Sequence, residues 1–148
     1  MRLVIQRVTE ASVTVAGQCV GAIRQGMVVL IGVGQGDTSQ TANRLIDKLV
    51  NLRIFADENG KMNRSVVDVK GSLLLISQFT LYADCRKGRR PAFTDAATPA
   101  EAKMLYEWFV ERCRETGVPV ACGIFAADMQ VAMINDGPVT IIFDSQIV

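Results

Sequence analysis

The chain contains no histidine. That removes the Ser-His-Asp and Cys-His catalytic arrangements, the zinc ligand sets that use imidazole, and the commonest general base. An enzyme built on this sequence must work another way. Long apolar runs are also missing, and none approaches the ~20 residues a helix needs to cross a bilayer. The opening Met1-Arg2-Leu3-Val4-Ile5-Gln6-Arg7 is interrupted by charge too early for a secretory signal. A cytoplasmic protein is therefore expected, with one domain over residues 1–148. Cys19, Cys85, Cys113 and Cys122 form no C-x-x-C pair or metal-ligand spacing and read as reduced thiols, with Cys113 and Cys122 in or near the core. Cys85 lies in a polar loop with no histidine to activate it. Neither a metal nor a cofactor is expected. The net charge of +1 excludes no class of partner, so the local distribution of charge matters more.

Hydrophobic residues make up 49% of the chain, enough to argue against disorder. Leu3–Val8 and Ser12–Val15 read as two strands joined tightly at Glu10-Ala11, followed by a short strand over Cys19–Ile23. Met27–Val33 is a continuous apolar run, as a strand buried on both faces would be. The glycines of Gly32-Val33-Gly34-Gln35-Gly36-Asp37 fit neither G-x-G-x-x-G nor a P-loop and read as a turn. Thr38 or Ser39 can cap a helix over Thr41–Val50 with Leu45, Ile46, Leu49 and Val50 on one face. Asp57-Glu58-Asn59-Gly60 marks a turn, and Ser72–Ile76 is a second continuous apolar strand. Thr98-Pro99-Ala100-Glu101 is a capping box with proline at the first helical position, opening a helix that ends at Gly117 and Pro119. Its apolar pairs are Met104, Leu105, Trp108 and Phe109, with Trp108 read as core. About eight strands and two main helices predict an α+β fold, with mixed or antiparallel sheets in a sandwich- or barrel-like core. The exposed sheet edges favour a homodimer.

Three segments can carry chemistry. Ser77-Gln78-Phe79-Thr80-Leu81 follows the apolar run Leu73-Leu74-Leu75-Ile76, so its polar groups either fray into a loop or line a pocket at a strand end. Arg86, Lys87, Arg89 and Arg90 crowd into six residues. They form either a grip for nucleic-acid phosphates or a solvated loop paired with Asp84 and Asp95. Asn135-Asp136-Gly137-Pro138 joins the apolar runs VAMI and VTIIF. Proline donates no ladder hydrogen bond, so this step is an ordinary turn or a backbone shape built for a ligand.

Taken together, Ser77-Gln78-Phe79-Thr80-Leu81 and Asn135-Asp136-Gly137-Pro138-Val139-Thr140 resemble the motif pair of the D-aminoacyl-tRNA deacylases. The likeness extends through Gln6-Arg7-Val8 with Ala11-Ser12-Val13, Arg53-Ile54-Phe55 with Gly60-Lys61-Met62-Asn63, and Phe125-Ala126-Ala127-Asp128-Met129. The resemblance implies hydrolysis of the ester joining a D-amino acid to the 3′-terminal ribose of tRNA, and of glycine mischarged on tRNA-Ala. It implies a homodimer with the active site at the subunit interface. Ser77, Gln78, Phe79 and Thr80 would form the catalytic segment, with Met129, Gly137 and Pro138 at the substrate. A cis Gly137-Pro138 step would enter the other subunit's pocket, where backbone oxygens exclude an L side chain. Such chemistry needs no histidine, because the ester is already activated and the neighbouring ribose hydroxyl can assist. Backbone N–H groups around Phe79 and Thr80 are candidates for the oxyanion, and Thr80 as nucleophile is the second option. Arg86, Lys87, Arg89 and Arg90 are expected at tRNA phosphates on their charge alone. A non-catalytic tRNA-binding module using the same 86–90 loop is the alternative, and a purely structural dimerisation domain is another.

Overall fold

A computed structural model describes residues 1–147. In chain order the elements are strand β1 (Arg2–Val15), β2 (Gln18–Ile23), β3 (Gly26–Gly32), helix α1 (Ser39–Val50), β4 (Phe55–Ala56), β5 (Met62–Arg64) and β6 (Ser72–Ser77). A 3-10 turn (Phe79–Tyr82), helix α2 (Pro99–Glu115), β7 (Val120–Cys122) and β8 (Gln130–Asp144) complete them. The fold is α+β as expected, and the sheet is mixed. β1 pairs antiparallel with β2, β3 and β8, whereas β3–β6 and β6–β7 are parallel. β2 curls back toward β7 so closely that a Cβ on Gly21 would stand 2.9 Å from the Cys122 carbonyl oxygen. The sheet is thus nearly closed, like a barrel.

Strand β6 explains the architecture. Leu73 and Leu75 face one apolar cluster, shared with both helices, while Leu74 and Ile76 face a second with Val8, Val13, Ile23 and Val28. A strand buried on both faces has no solvent side to mark with polar residues, which is why its sequence is continuously apolar. Helix α1 buries Ala42, Leu45, Ile46, Leu49 and Val50, and Thr38 caps it by accepting from the Thr41 N–H. The capping box at the start of α2 is complete in both directions.

Three expectations need correction. Leu3–Val8 and Ser12–Val15 are not two strands; β1 runs straight through Glu10-Ala11, with register irregularities around Val8. The partner β8 lies along its whole length, so the chain bends there instead of turning. VAMI and VTIIF are likewise one strand, because Asn135 pairs with Val8 and Thr140 with Gln6, leaving residues 136–139 as a wide bulge opposite Arg7. Of the two readings of Gly137-Pro138, the ordinary turn is excluded, since the step lies in this bulge. On α2, Met104 is 69% exposed and does not pack. Its buried stripe is Ala102, Leu105, Tyr106, Phe109, Val110 and Cys113, with Trp108 only partly buried against the core. Tyr106 can go inside because its hydroxyl donates to the Leu75 carbonyl at 2.9 Å. Among the described residues no helix is long and apolar enough to cross a membrane.

Candidate active site

At the end of β6 the apolar run meets solvent. Ser77 still pairs with Ile31 in β3, and Gln78 donates its N–H to the Ile31 carbonyl at 2.7 Å before the chain leaves the sheet. The 3-10 turn that follows is held by Leu81 N–H to the Gln78 carbonyl at 3.3 Å and Ala83 N–H to the Thr80 carbonyl at 3.0 Å. The first N–H groups of a helical turn have no acceptor within it. Those of Phe79 and Thr80 are such groups, and no described carbonyl or side chain outside the turn accepts from them. Two adjacent free N–H donors are the kind of group from which a developing negative charge can accept.

The side chains around them carry little reactive chemistry. Thr80 is exposed, and its hydroxyl accepts from the Gln78 side-chain amide. No carboxylate or amine bonds to it among the described residues. Phe79 is 57% exposed and meets Phe93 edge-on, the ring centroids 4.9 Å apart. Met129 lies over Gly123 and beside Ile76, the residue preceding Ser77, so it shares this end of the sheet. The four cysteines are unpaired, and burial pushes the Cys113 thiol up to about 12. Among the described residues no three His, Cys, Asp or Glu side chains cluster as metal ligands.

Gly137 and Pro138 sit exposed in the β8 bulge, joined by a cis peptide. Asn135 closes the bulge by accepting from the Val139 N–H at 2.7 Å, and Arg7 anchors it by donating to the Asp136 carbonyl at 2.9 Å. A second Arg7 nitrogen donates to the Ile54 carbonyl, tying the bulge to the segment before β4. Gly137 has φ +142°, and a Cβ there would lie 2.9 Å from the Val139 nitrogen. Only glycine fits comfortably.

One chain does not bring the two motifs together. Ser77 is level with Ile31 and Leu3, whereas the bulge is level with Arg7. Four residues along the strands and three strand spacings across them separate the segments by roughly 20 Å.

The basic loop is tied at its neck by paired hydrogen bonds between Asp84 and Ala92, of 2.7 and 2.9 Å. Arg86 donates two side-chain bonds of 2.8 Å to Asp84, and these hold the Asp84 carboxyl down to about 2. Lys87, Arg89 and Arg90 are exposed and have no carboxylate partner among the described residues. The expected pairing with Asp84 therefore holds for one cation of the four. Sequence reasoning assigned no role to Arg7, Arg2 or Tyr82. In the structure the Arg7 side chain is only 13% exposed, which the charge pattern of β1 does not announce.

Comparison with known proteins gives the family. The family model described as D-Tyr-tRNA(Tyr) deacylase matches residues 4–144. A D-aminoacyl-tRNA deacylase of Rhodopirellula baltica is 60% identical, covering 97% of this chain and 99% of its own. That of Fervidobacterium nodosum is 59% identical, covering 99% and 98%. Among solved structures, a c-Myc DNA Unwinding Element Binding Protein superposes with a TM-score of 0.91 at 42% identity, covering 97% of this chain and 98% of that one. A probable eukaryotic D-amino acid tRNA deacylase shares the fold at a TM-score of 0.80 and 17% identity, over 96% and 97% of the two chains. The chain belongs to the D-Tyr-tRNA(Tyr) deacylase family, hydrolases of the ester bond of aminoacyl-tRNA.

Proposed function

We propose that this protein hydrolyses the ester between a D-amino acid, or glycine, and the 3′-terminal ribose of tRNA, as a chiral proofreading step. The observation that carries the proposal is the unpartnered pair of N–H groups at Phe79 and Thr80. Water adds to the ester carbonyl, and its oxygen, now an oxyanion, accepts from the two N–H groups. The oxyanion then collapses, the carbon–oxygen bond to ribose breaks, and the proton lost by the attacking water passes through the neighbouring ribose hydroxyl to the departing ribose oxygen, leaving free amino acid and tRNA. One fixed oxyanion donor is worth about 2.7–4 kcal/mol, or 10²–10³ in kcat, so two donors on an already activated ester supply substantial catalysis without a side-chain base. Ser77 and Gln78 shape the turn, and Met129 lines the substrate side.

Stereochemical selection belongs to Gly137 and Pro138 of a second copy of the chain. The roughly 20 Å gap within one chain and the exposed position of the bulge on β8 favour a homodimer in which each bulge enters the other copy's site. Backbone oxygens beside the substrate α-carbon exclude an L side chain and tolerate glycine, which has none. Lys87, Arg89 and Arg90, with Arg86 partly committed to Asp84, hold tRNA phosphates, contacts that position without reading sequence.

The test is release of labelled amino acid from D-Tyr-tRNA and L-Tyr-tRNA by the wild type and by Thr80→Ala. We expect D-specific turnover that survives in Thr80→Ala, since the backbone donor remains. Abolished turnover with binding and fold intact would make Thr80 the nucleophile. Binding without any release would favour the RNA-binding module instead.

A further inference from the structure

The 3-10 turn that presents the Phe79 and Thr80 N–H groups has no fully buried residue, so its hold on the sheet depends on a few specific contacts. Its entrance is pinned by the Gln78 N–H on Ile31. Its exit is pinned from outside. Arg2 faces Asp144 across the β1–β8 pair and donates to its carboxylate through Nε at 2.9 Å. The same guanidinium donates through Nη1 to the Leu81 carbonyl at 3.0 Å, and its central carbon stands 4.6 Å from the Tyr82 ring centroid. One planar cation thus joins the last two residues of the turn to the sheet, using a donor geometry that lysine cannot reproduce.

Tyr82 also lies against Gly34. A Cβ at residue 34 would lie 2.5 Å from the Tyr82 hydroxyl and 2.6 Å from the ring carbon that bears it. Asp37 accepts from the Gly34 N–H at 2.7 Å, which fixes the backbone that Tyr82 lies against. Tyr82 therefore packs against both a backbone with no side chain and a guanidinium anchored to two strands.

We propose that Arg2, Tyr82 and Gly34 form a clamp that sets the direction of the Phe79 and Thr80 N–H groups, and that Arg2 is its key positioning residue. The inference rests on the deacylase reading above. None of the three touches the substrate; they act through the turn. Misplacing a reacting group by about 1 Å can cost on the order of 100-fold in rate. Loss of the clamp lowers kcat far more than it changes KM, because the uncommitted cations Lys87, Arg89 and Arg90 form no hydrogen bond or ion pair with it.

The experiment compares wild type, Arg2→Ala, Arg2→Lys and Tyr82→Leu on D-Tyr-tRNA, with folded fraction measured alongside. Amide NMR shifts of Phe79 and Thr80 are recorded on each protein. We expect Arg2→Ala to lower kcat by about 10- to 100-fold, with KM within about twofold and both amides displaced. Arg2→Lys should recover part of the loss, since an ammonium can still reach Asp144. Unchanged kcat in Arg2→Ala, a loss that merely tracks the folded fraction, or amide shifts identical to wild type would each overturn the clamp. If wild type itself releases no D-amino acid, the deacylase reading falls and the clamp's catalytic role with it. Wild-type turnover with an indifferent Arg2→Ala sinks the clamp alone.

Discussion

Replacing Gly137 with alanine tests how tightly the β8 bulge is built. An L residue held at φ +142° is in a region essentially reserved for glycine, a strain of roughly 1–3 kcal/mol. The new methyl would also stand 2.9 Å from the Val139 nitrogen and 2.7 Å from a Val139 methyl. Val139 cannot retreat freely, because it is buried and its N–H is the donor that closes the bulge onto Asn135. Moving it weakens that hydrogen bond, at a net cost of about 1 kcal/mol. The sum is about 2–4 kcal/mol, all of it local. The flanking pairs Asn135–Val8 and Thr140–Gln6 need not break, so the bulge should reshape before the strand detaches. Urea unfolding at fixed protein concentration should show a loss near the lower end of that range. D-Tyr-tRNA deacylation should fall at least tenfold, because the reshaped segment no longer fits its site. A variant with wild-type stability and undiminished D-specific turnover would refute both the steric account and the placing of the bulge at the substrate.

Two further outcomes follow from the same geometry. Tyr106→Phe removes the buried donor to the Leu75 carbonyl, but that oxygen also accepts from the Gly123 N–H at 3.0 Å. The expected loss is therefore about 1 kcal/mol, at the low end for a buried hydrogen bond, measured by thermal or urea unfolding. Lys87→Gln with Arg89→Gln should flatten the dependence of tRNA affinity on salt by about 1.4–1.8 in log–log slope, counting one phosphate per cation. Filter binding across a salt series checks this, and an unchanged slope would place the phosphates elsewhere.

How much of this was legible in the sequence depended on how far apart the cooperating residues lie. Short-range rules worked where the partners are neighbours. Thr98 and Glu101 announce the start of α2, and both of their reciprocal bonds are present. The uninterrupted run from Leu73 to Ile76 announces a strand buried on two faces, and both faces are filled. The polar stretch from Ser77 was recognisable as a strand end for the same reason. Errors arose where a distant segment overrode local pattern. Glu10-Ala11 looks like a break in β1, but β8 runs alongside and carries the strand through it. Gly137-Pro138 looks like a turn because a bulge and a turn demand the same residue types; pairing with β1 decides between them. Met104 was misplaced on α2 because apolar spacing shows a stripe without showing its centre, which lies nearer Tyr106 and Phe109.

The least legible feature is the support beneath the candidate site. Arg2 reaches Leu81 across 79 positions, and Arg7 reaches Asp136 across 129. In sequence these are ordinary charges in an N-terminal strand. Their function depends on β1 lying between β3, which leads toward the turn after β6, and β8, which carries the bulge. One strand therefore supplies an arginine to each motif, four residues beyond the level of Ser77 in one case and beside it in the other. If two copies of the chain exchange bulges, β1 is the element that fixes both halves of each site. A distortion of β1 between Arg2 and Arg7 would shift the Phe79–Tyr82 turn and the β8 bulge together.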